Sequence, residues 1–246
     1  MGAFAESWRL LRTSVQILRA WSVLIGFAGR AILWSMVVAV LIYLATLAIP
    51  DTAGWARAGV VGVGYLLAAY VTVVYEAALV TQAHLTLGGA DPSLRAGTVA
   101  AASKRRQLMP WVLITAAETY AVSDIEGTAA TTLAGGLWLA ITMLILPTIM
   151  LTDTAGWTAI LKALNLLRKH WALGVIGAAL VTTATAILVS PGLVLLTLEP
   201  ESTELLLLFG ALALVWLLPT VIISLALVVV YQTLLFQAIL YRTAVG

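Results

Sequence analysis

The chain has 246 residues, 62% of them hydrophobic and 10% charged, with a mean hydropathy of +1.07. A soluble domain carries about 45–50% apolar and about 25% charged residues, so this composition excludes a globule with a polar surface and points to an integral membrane protein. The absence of cysteine excludes disulfides, thiolate metal sites and cysteine nucleophiles, and a net charge of +2 gives no support to nucleic-acid binding.

Residues 3–20 place Phe4, Trp8, Leu11, Val15 and Leu18 at helical spacing, with Arg9, Arg12, Gln16 and Arg19 on another face. That pattern is a basic amphipathic helix suited to the headgroup plane, where it docks a partner or anionic lipid, or simply anchors and orients the first span. It lacks the short basic start, apolar core and small-residue cut site of a cleavable signal.

A hydrocarbon core of about 30 Å takes roughly 20 apolar residues of helix. Six stretches are expected to cross it: 31–49, 58–85, 108–122, 133–151, 171–190 and 205–231. The first is bounded by Arg30 and by Pro50-Asp51, and the second carries Glu76. The third is short and contains Glu118; the fourth contains Pro147. The fifth is expected to stop at Pro191-Gly192. The sixth apolar region runs on without a charge to Tyr241 and would form a helix of about 55 Å, longer than one hydrocarbon thickness. It is expected to kink at Pro219, to tilt, or to continue past the interface and pack on amphipathic helices, lipid or another protein.

Charge distribution bears on the count independently. Twelve of the 13 Lys and Arg fall before span 1, between spans 2 and 3, between spans 4 and 5, and after span 6. The remaining connections hold only Arg57, together with Asp51, Asp124, Glu126, Glu199, Glu201 and Glu204. Basic residues collect on the cytoplasmic side, so both termini are expected there, in a prokaryotic inner membrane.

One pattern recurs. Residues 7–19 lead to Trp21; residues 92–107, with Asp91 as the expected N-cap and Pro92 first in the helix, lead through Lys104, Arg105 and Arg106 to Trp111. Residues 158–170 lead through Arg168 and Lys169 to Trp171. Each unit is an amphipathic helix, a basic cluster, an interfacial tryptophan and then a pair of spans, expected to contact lipid or a partner at the inner face. Triplication of a helix-plus-hairpin unit explains this, and so does convergence under positive-inside sorting and aromatic belts.

The stretches FAESWRLLRTSVQILRAW, WVLITAAETYAV and LAITMLILPTIMLTDTAGWTAILKALNLLRKHW resemble a family of six-pass prokaryotic membrane proteins, a domain of unknown function. The resemblance extends to about Leu180 and is most specific from Pro147 through Trp171. It implies a topology and no activity.

Ionisable groups inside a bilayer are costly, which singles out Glu76, Glu118 and Arg30. Glu118 lies about 15 Å into span 3, near the midplane, where a carboxylate binds a cation, relays a proton or sits protonated against a neighbour such as Thr115 or Tyr120. Glu76 lies about 28 Å along its helix from Arg57, level with Arg30, and a structural Glu76–Arg30 pair is the plain expectation. His84 and His170 fall near the inner boundary; as a pair of imidazoles they are candidates for ligating a haem, a chlorin or a metal, although no carboxylate–histidine spacing supports a metal, and an interfacial helix end equally tolerates each without a ligand. No HExxH, GxSxG or phosphate-binding glycine loop occurs, and Gly59, Gly62, Gly64 and Gly174 suit close helix packing.

The sequence thus points to an all-α, single-domain transmembrane bundle of six spans with cytoplasmic-side amphipathic helices and no resident cofactor. The first functional expectation is a non-enzymatic accessory or scaffold subunit that packs against anionic lipid, other membrane subunits or itself. The alternative is a small oligomeric transporter or channel using Glu118 and Glu76.

Overall fold

A computed structural model describes residues 2–50, 53–123, 138–152, 154, 156–198 and 202–245. Those residues form α1 (Ala3–Ala20), α2 (Ser22–Leu47), α3 (Gly54–Leu87), α4 (Leu94–Ser103), α5 (Arg105–Ser123), α6 (Ile145–Leu151), α7 (Gly156–Lys169), α8 (Trp171–Thr197) and α9 (Thr203–Val245). A helical stretch beginning at Trp138 leads into α6, and among the described residues there is no strand. The start of the expected fourth span and the acidic residues Asp51, Asp124, Glu126, Glu199 and Glu201 lie outside the described residues.

Among the described residues four helices are long and apolar enough to cross a membrane: α2, α3, α8, and α9 over Thr203–Thr243. The protein is therefore of the multi-pass membrane type. The expected third span and the described part of the expected fourth do not reach that standard. Helix α5 spends its first turn on Arg105, Arg106 and Gln107, holds Pro110 and carries Glu118, so its apolar run is short; Trp138–Leu151 is shorter still.

A single non-helical residue separates a short helix from a longer one at three places. Trp21 (φ −127°, ψ 74°) divides α1 from α2, Lys104 (φ −98°, ψ 12°) divides α4 from α5, and His170 (φ −122°, ψ 31°) divides α7 from α8. Helix α4 starts later than the sequence pattern suggests. Ser93 is its N-cap, accepting from the Ala96 amide at 3.4 Å, and the Ser93 amide donates to Gln82 Oε1 at 2.7 Å. Gln82 thus ties the start of α4 to the end of α3, and Asp91 and Pro92 are left in the connection.

Proline fails to end α8. Pro191 removes the amide that would bond the Ile187 carbonyl, but the Ser190 hydroxyl donates to that carbonyl at 3.1 Å. Trp216 Nε1 of α9 donates to the neighbouring Leu188 carbonyl at 2.9 Å, so the helix runs on to Thr197 with these acceptors satisfied. Helix α9 likewise runs through Pro219 and is about 64 Å long.

The second half of α9 is the centre of the core. Val230, Tyr231, Thr233, Leu235, Phe236 and Ile239 are fully buried, with α1, α2, α3, α6 and α8 packed around the helix. Helix α1 gives this core Leu10, Leu11, Ser14 and Leu18, while Phe4 (61% exposed) and Trp8 (47%) of the expected apolar stripe face outward with Arg9 and Arg12. The stripe is therefore shared between two environments. Glu6 of α1, 5% exposed, is ion-paired with Arg242 near the end of α9.

Glycine permits two of the close approaches. A Cβ at Gly64 would lie 2.7 Å from Ile42 Cγ1, where α2 meets α3, and one at Gly177 would lie 2.9 Å from Tyr231 Cζ, where α8 meets α9. Gly59 and Gly62 have open space instead and support no helix contact. Gly177→Ala is expected to destabilise the fold by about 1–3 kcal/mol, because the fully buried Tyr231 has no room to yield. Gly62→Ala, at an open helical position, is expected to be neutral or to stabilise by about 0.5–1 kcal/mol. Thermal unfolding in detergent compares the two.

Candidate functional site

Helical spacing puts Thr72 and Glu76 on one face of α3, and Trp111, Thr115 and Glu118 on one face of α5. Trp138 and Thr142 share a face in the same way, as do Leu225, Val228, Val229 and Gln232 of α9. These four faces converge on one cavity of about 310 Å³. Its polar lining is Thr72, Glu76, Thr115, Glu118, Thr142 and Gln232. Among the described residues no Lys, Arg or His lines it.

Trp111 and Trp138 stack across the α5 side of the cavity, with ring centroids 6.2 Å apart and planes 14° from parallel. The sequence pattern places Trp111 at a lipid interface; it is buried instead, because the Trp138 ring covers it. Thr142 and Thr72 are already engaged: the Thr142 hydroxyl donates to the Trp138 carbonyl at 2.7 Å, and the Thr72 and Ser35 hydroxyls bond at 3.1 Å. The Thr115 hydroxyl is shielded from solvent and has no partner among the described residues.

The Ser35–Thr72 bond also explains why Glu76 and Arg30 stay apart. It sets α2 and α3 in register, so that Arg30, five residues before Ser35, is level with Glu76. At about 100° per residue, however, Arg30 lies about 140° round α2 from Ser35, whereas Glu76 lies only about 40° round α3 from Thr72. Arg30 is exposed, and among the described residues no ion pair joins it to Glu76. The expected depth agrees with the register; the expected face does not.

The remaining candidates scatter. Lys104 turns inward, and its ammonium donates to the carbonyls of Ile149 (3.2 Å), Met150 (3.0 Å) and Thr152 (3.0 Å) at the end of α6. Arg105, Arg106, Arg12, Arg19 and Arg168 are exposed, Trp21 is half-buried and Trp171 is exposed. Arg9 lines a cavity of about 470 Å³ with Glu6, Gln237 and Arg242. Lys169, His170 and Trp171 line another of about 260 Å³, which Arg242 also borders. His84 accepts at Nδ1 from Gln237 Nε2 at 2.5 Å, so the two histidines engage different neighbours. Among the described residues no three His, Asp or Glu gather as a metal site would require.

The sequence signals for Thr142, Gln232 and Trp138 are weak, since each is an ordinary residue of an apolar helix. Only the helical period connecting Thr72 to Glu76 and Thr115 to Glu118 is visible without the fold. Comparison of the chain with family models, with curated proteins and with solved structures finds no match.

Lys104 positions this site indirectly, since α6 contributes Leu146 to the cavity wall. A cation capping the carbonyls at a helix end is favourable twice over, through charge-assisted hydrogen bonds and through the helix dipole. Lys104→Met is expected to cost about 1.5–3 kcal/mol, seen as a lower melting temperature. An unchanged melting temperature would show that the three contacts contribute nothing to the fold.

Proposed function

We propose that the protein is a six-span transporter or channel of the prokaryotic cytoplasmic membrane, with both termini cytoplasmic, in which Glu76 and Glu118 bind a cationic solute or a proton on its way across. The observation that carries this is the convergence of both carboxylates on one cavity that no cationic side chain among the described residues lines. Uncompensated acidic groups in an apolar bundle are retained where they serve an ion, a proton or a solute path. The alternation of Lys and Arg between successive connections supports the orientation and the even number of spans. The three short-helix-to-long-helix junctions fit the repeated helix-plus-hairpin pattern of that topology.

A second role, as an accessory subunit of a larger membrane assembly, has its own support. Only 17% of the apolar window in each of α2 and α3 is buried. An apolar groove of about 350 Å³, lined by Val38, Ile42, Tyr43, Val61, Gly64 and Tyr65, lies between these two helices. Both are surfaces a neighbouring helix or a lipid chain covers. The exposed Arg9, Arg12, Arg19, Arg168 and Lys169 suit anionic headgroups at the inner face.

Reconstitution into proteoliposomes with a trapped pH dye and an imposed potential tests the transport proposal. Glu118→Gln and Glu76→Gln are each expected to reduce flux at least about tenfold while leaving expression and melting temperature unchanged. Equal flux in wild type and both variants would contradict it. Recovery of a constant foreign partner by native mass spectrometry after gentle extraction would favour the subunit role.

A further inference from the structure

We propose that the solute of the Glu76–Glu118 cavity is an alkylammonium ion bearing N–H donors, such as a primary amine or a diamine, rather than a metal ion. This rests on the cavity being the solute site of a transporter or channel. Charge, size and wall chemistry point the same way.

The charge requirement is cationic. Two carboxylates face the cavity with no Lys, Arg or His among the described residues beside them, so whenever they are ionised the compensating charge has to come from the occupant. Two carboxylates accommodate up to two such charges.

Size argues against a bare ion. The volume of about 310 Å³ is at the lower end of ordinary small-molecule sites, which hold about 300–1,000 Å³. A calcium ion wants six to eight oxygen ligands drawn close around it, and magnesium demands near-ideal octahedral geometry. Here the acidic ligands number two, on separate helices, with no third His, Asp or Glu among the described residues to complete a cluster. A bare ion would leave most of the space empty against apolar walls.

The wall chemistry suits carbon and nitrogen together. The Trp111–Trp138 pair offers the aromatic surface that attracts an ammonium group. Leu139, Leu225 and Val228 offer apolar contact for an alkyl chain. The unpartnered Thr115 hydroxyl and the two carboxylates are acceptors for N–H donors. A quaternary ammonium ion would satisfy the aromatic pair but none of those acceptors, so an ion with N–H bonds matches more of the lining.

The test is equilibrium binding of putrescine, propylammonium and tetraethylammonium to the full chain in lipid nanodiscs at neutral pH, with Na⁺ and Mg²⁺ as comparators. Putrescine or propylammonium is expected to bind saturably at one per chain, more tightly than tetraethylammonium, and not to be displaced by Mg²⁺. Glu76→Gln and Glu118→Gln are each expected to weaken that binding at least about tenfold. Trp138→Leu is expected to weaken it about two- to fivefold. Because wild-type binding is itself a readout, a variant that fails to fold does not rescue the proposal. Absence of saturable amine binding to the wild type overturns it, as does tighter, carboxylate-dependent binding of Mg²⁺ or Na⁺. If amines do not bind while flux in proteoliposomes still depends on Glu118, the cavity carries protons or inorganic ions and only the amine assignment falls. If neither amine binding nor Glu118-dependent flux occurs, the transport proposal falls with it.

Discussion

Removing a carboxylate from water costs several kcal/mol unless a counter-charge, hydrogen bonds or a proton compensates it. Glu76 and Glu118 meet that cost in an unusual arrangement, because the described residues offer neither of them an ion pair and both face the same space. By contrast Glu6, which is buried where Glu76 and Glu118 are half-buried, has Arg242 beside it, and the buried end of α6 has Lys104. Where the chain needs a charge only for architecture, it supplies the partner. At the central cavity it does not, and the proposed solute site rests on that difference.

Glu76 on α3 and Glu118 on α5 are held together by the packing of α3 on α5, and α3 packs in turn on α9. The second half of α9 is buried against five other helices, which fixes the face that presents Leu225, Val228, Val229 and Gln232 to the cavity. Lys104 fixes the end of α6 through three carbonyls, and the Ser35–Thr72 bond sets α3 against α2. The first half of α9, the second half of α8 and the second half of α2 are largely exposed apolar surface, as hydrocarbon or a neighbouring helix would require. Polar organisation is thus concentrated in one half of the bundle.

The helical character of the chain and its membrane class are legible in the sequence, because both reflect the length and apolarity of continuous runs. Local chemistry is less legible where a hydroxyl intervenes. Pro191 looks like a stop signal, but the adjacent Ser190 supplies the Ile187 carbonyl with a donor, and the helix continues. Ser93 rather than Asp91 caps α4 because its own amide is held by Gln82, eleven residues earlier. The site is legible only in parts. Glu76 and Glu118 stand out individually as charges in apolar runs, and each has a threonine about one turn before it. Their convergence depends on how α3 and α5 are rotated about their axes, which periodicity within either helix does not specify. The same rotation places Arg30 away from Glu76 and buries Trp111 against Trp138.

The shared cavity is the claim on which the functional account rests, and dicyclohexylcarbodiimide, which modifies protonated carboxyl groups in apolar surroundings, probes it directly. Peptide mapping by mass spectrometry after treatment in nanodiscs should find adducts on Glu76 or on Glu118 but not on both in one molecule, because a cavity of about 310 Å³ has room for one bulky adduct. Glu118→Gln should leave Glu76 reactive. Doubly modified molecules carrying adducts at both residues would contradict a shared cavity.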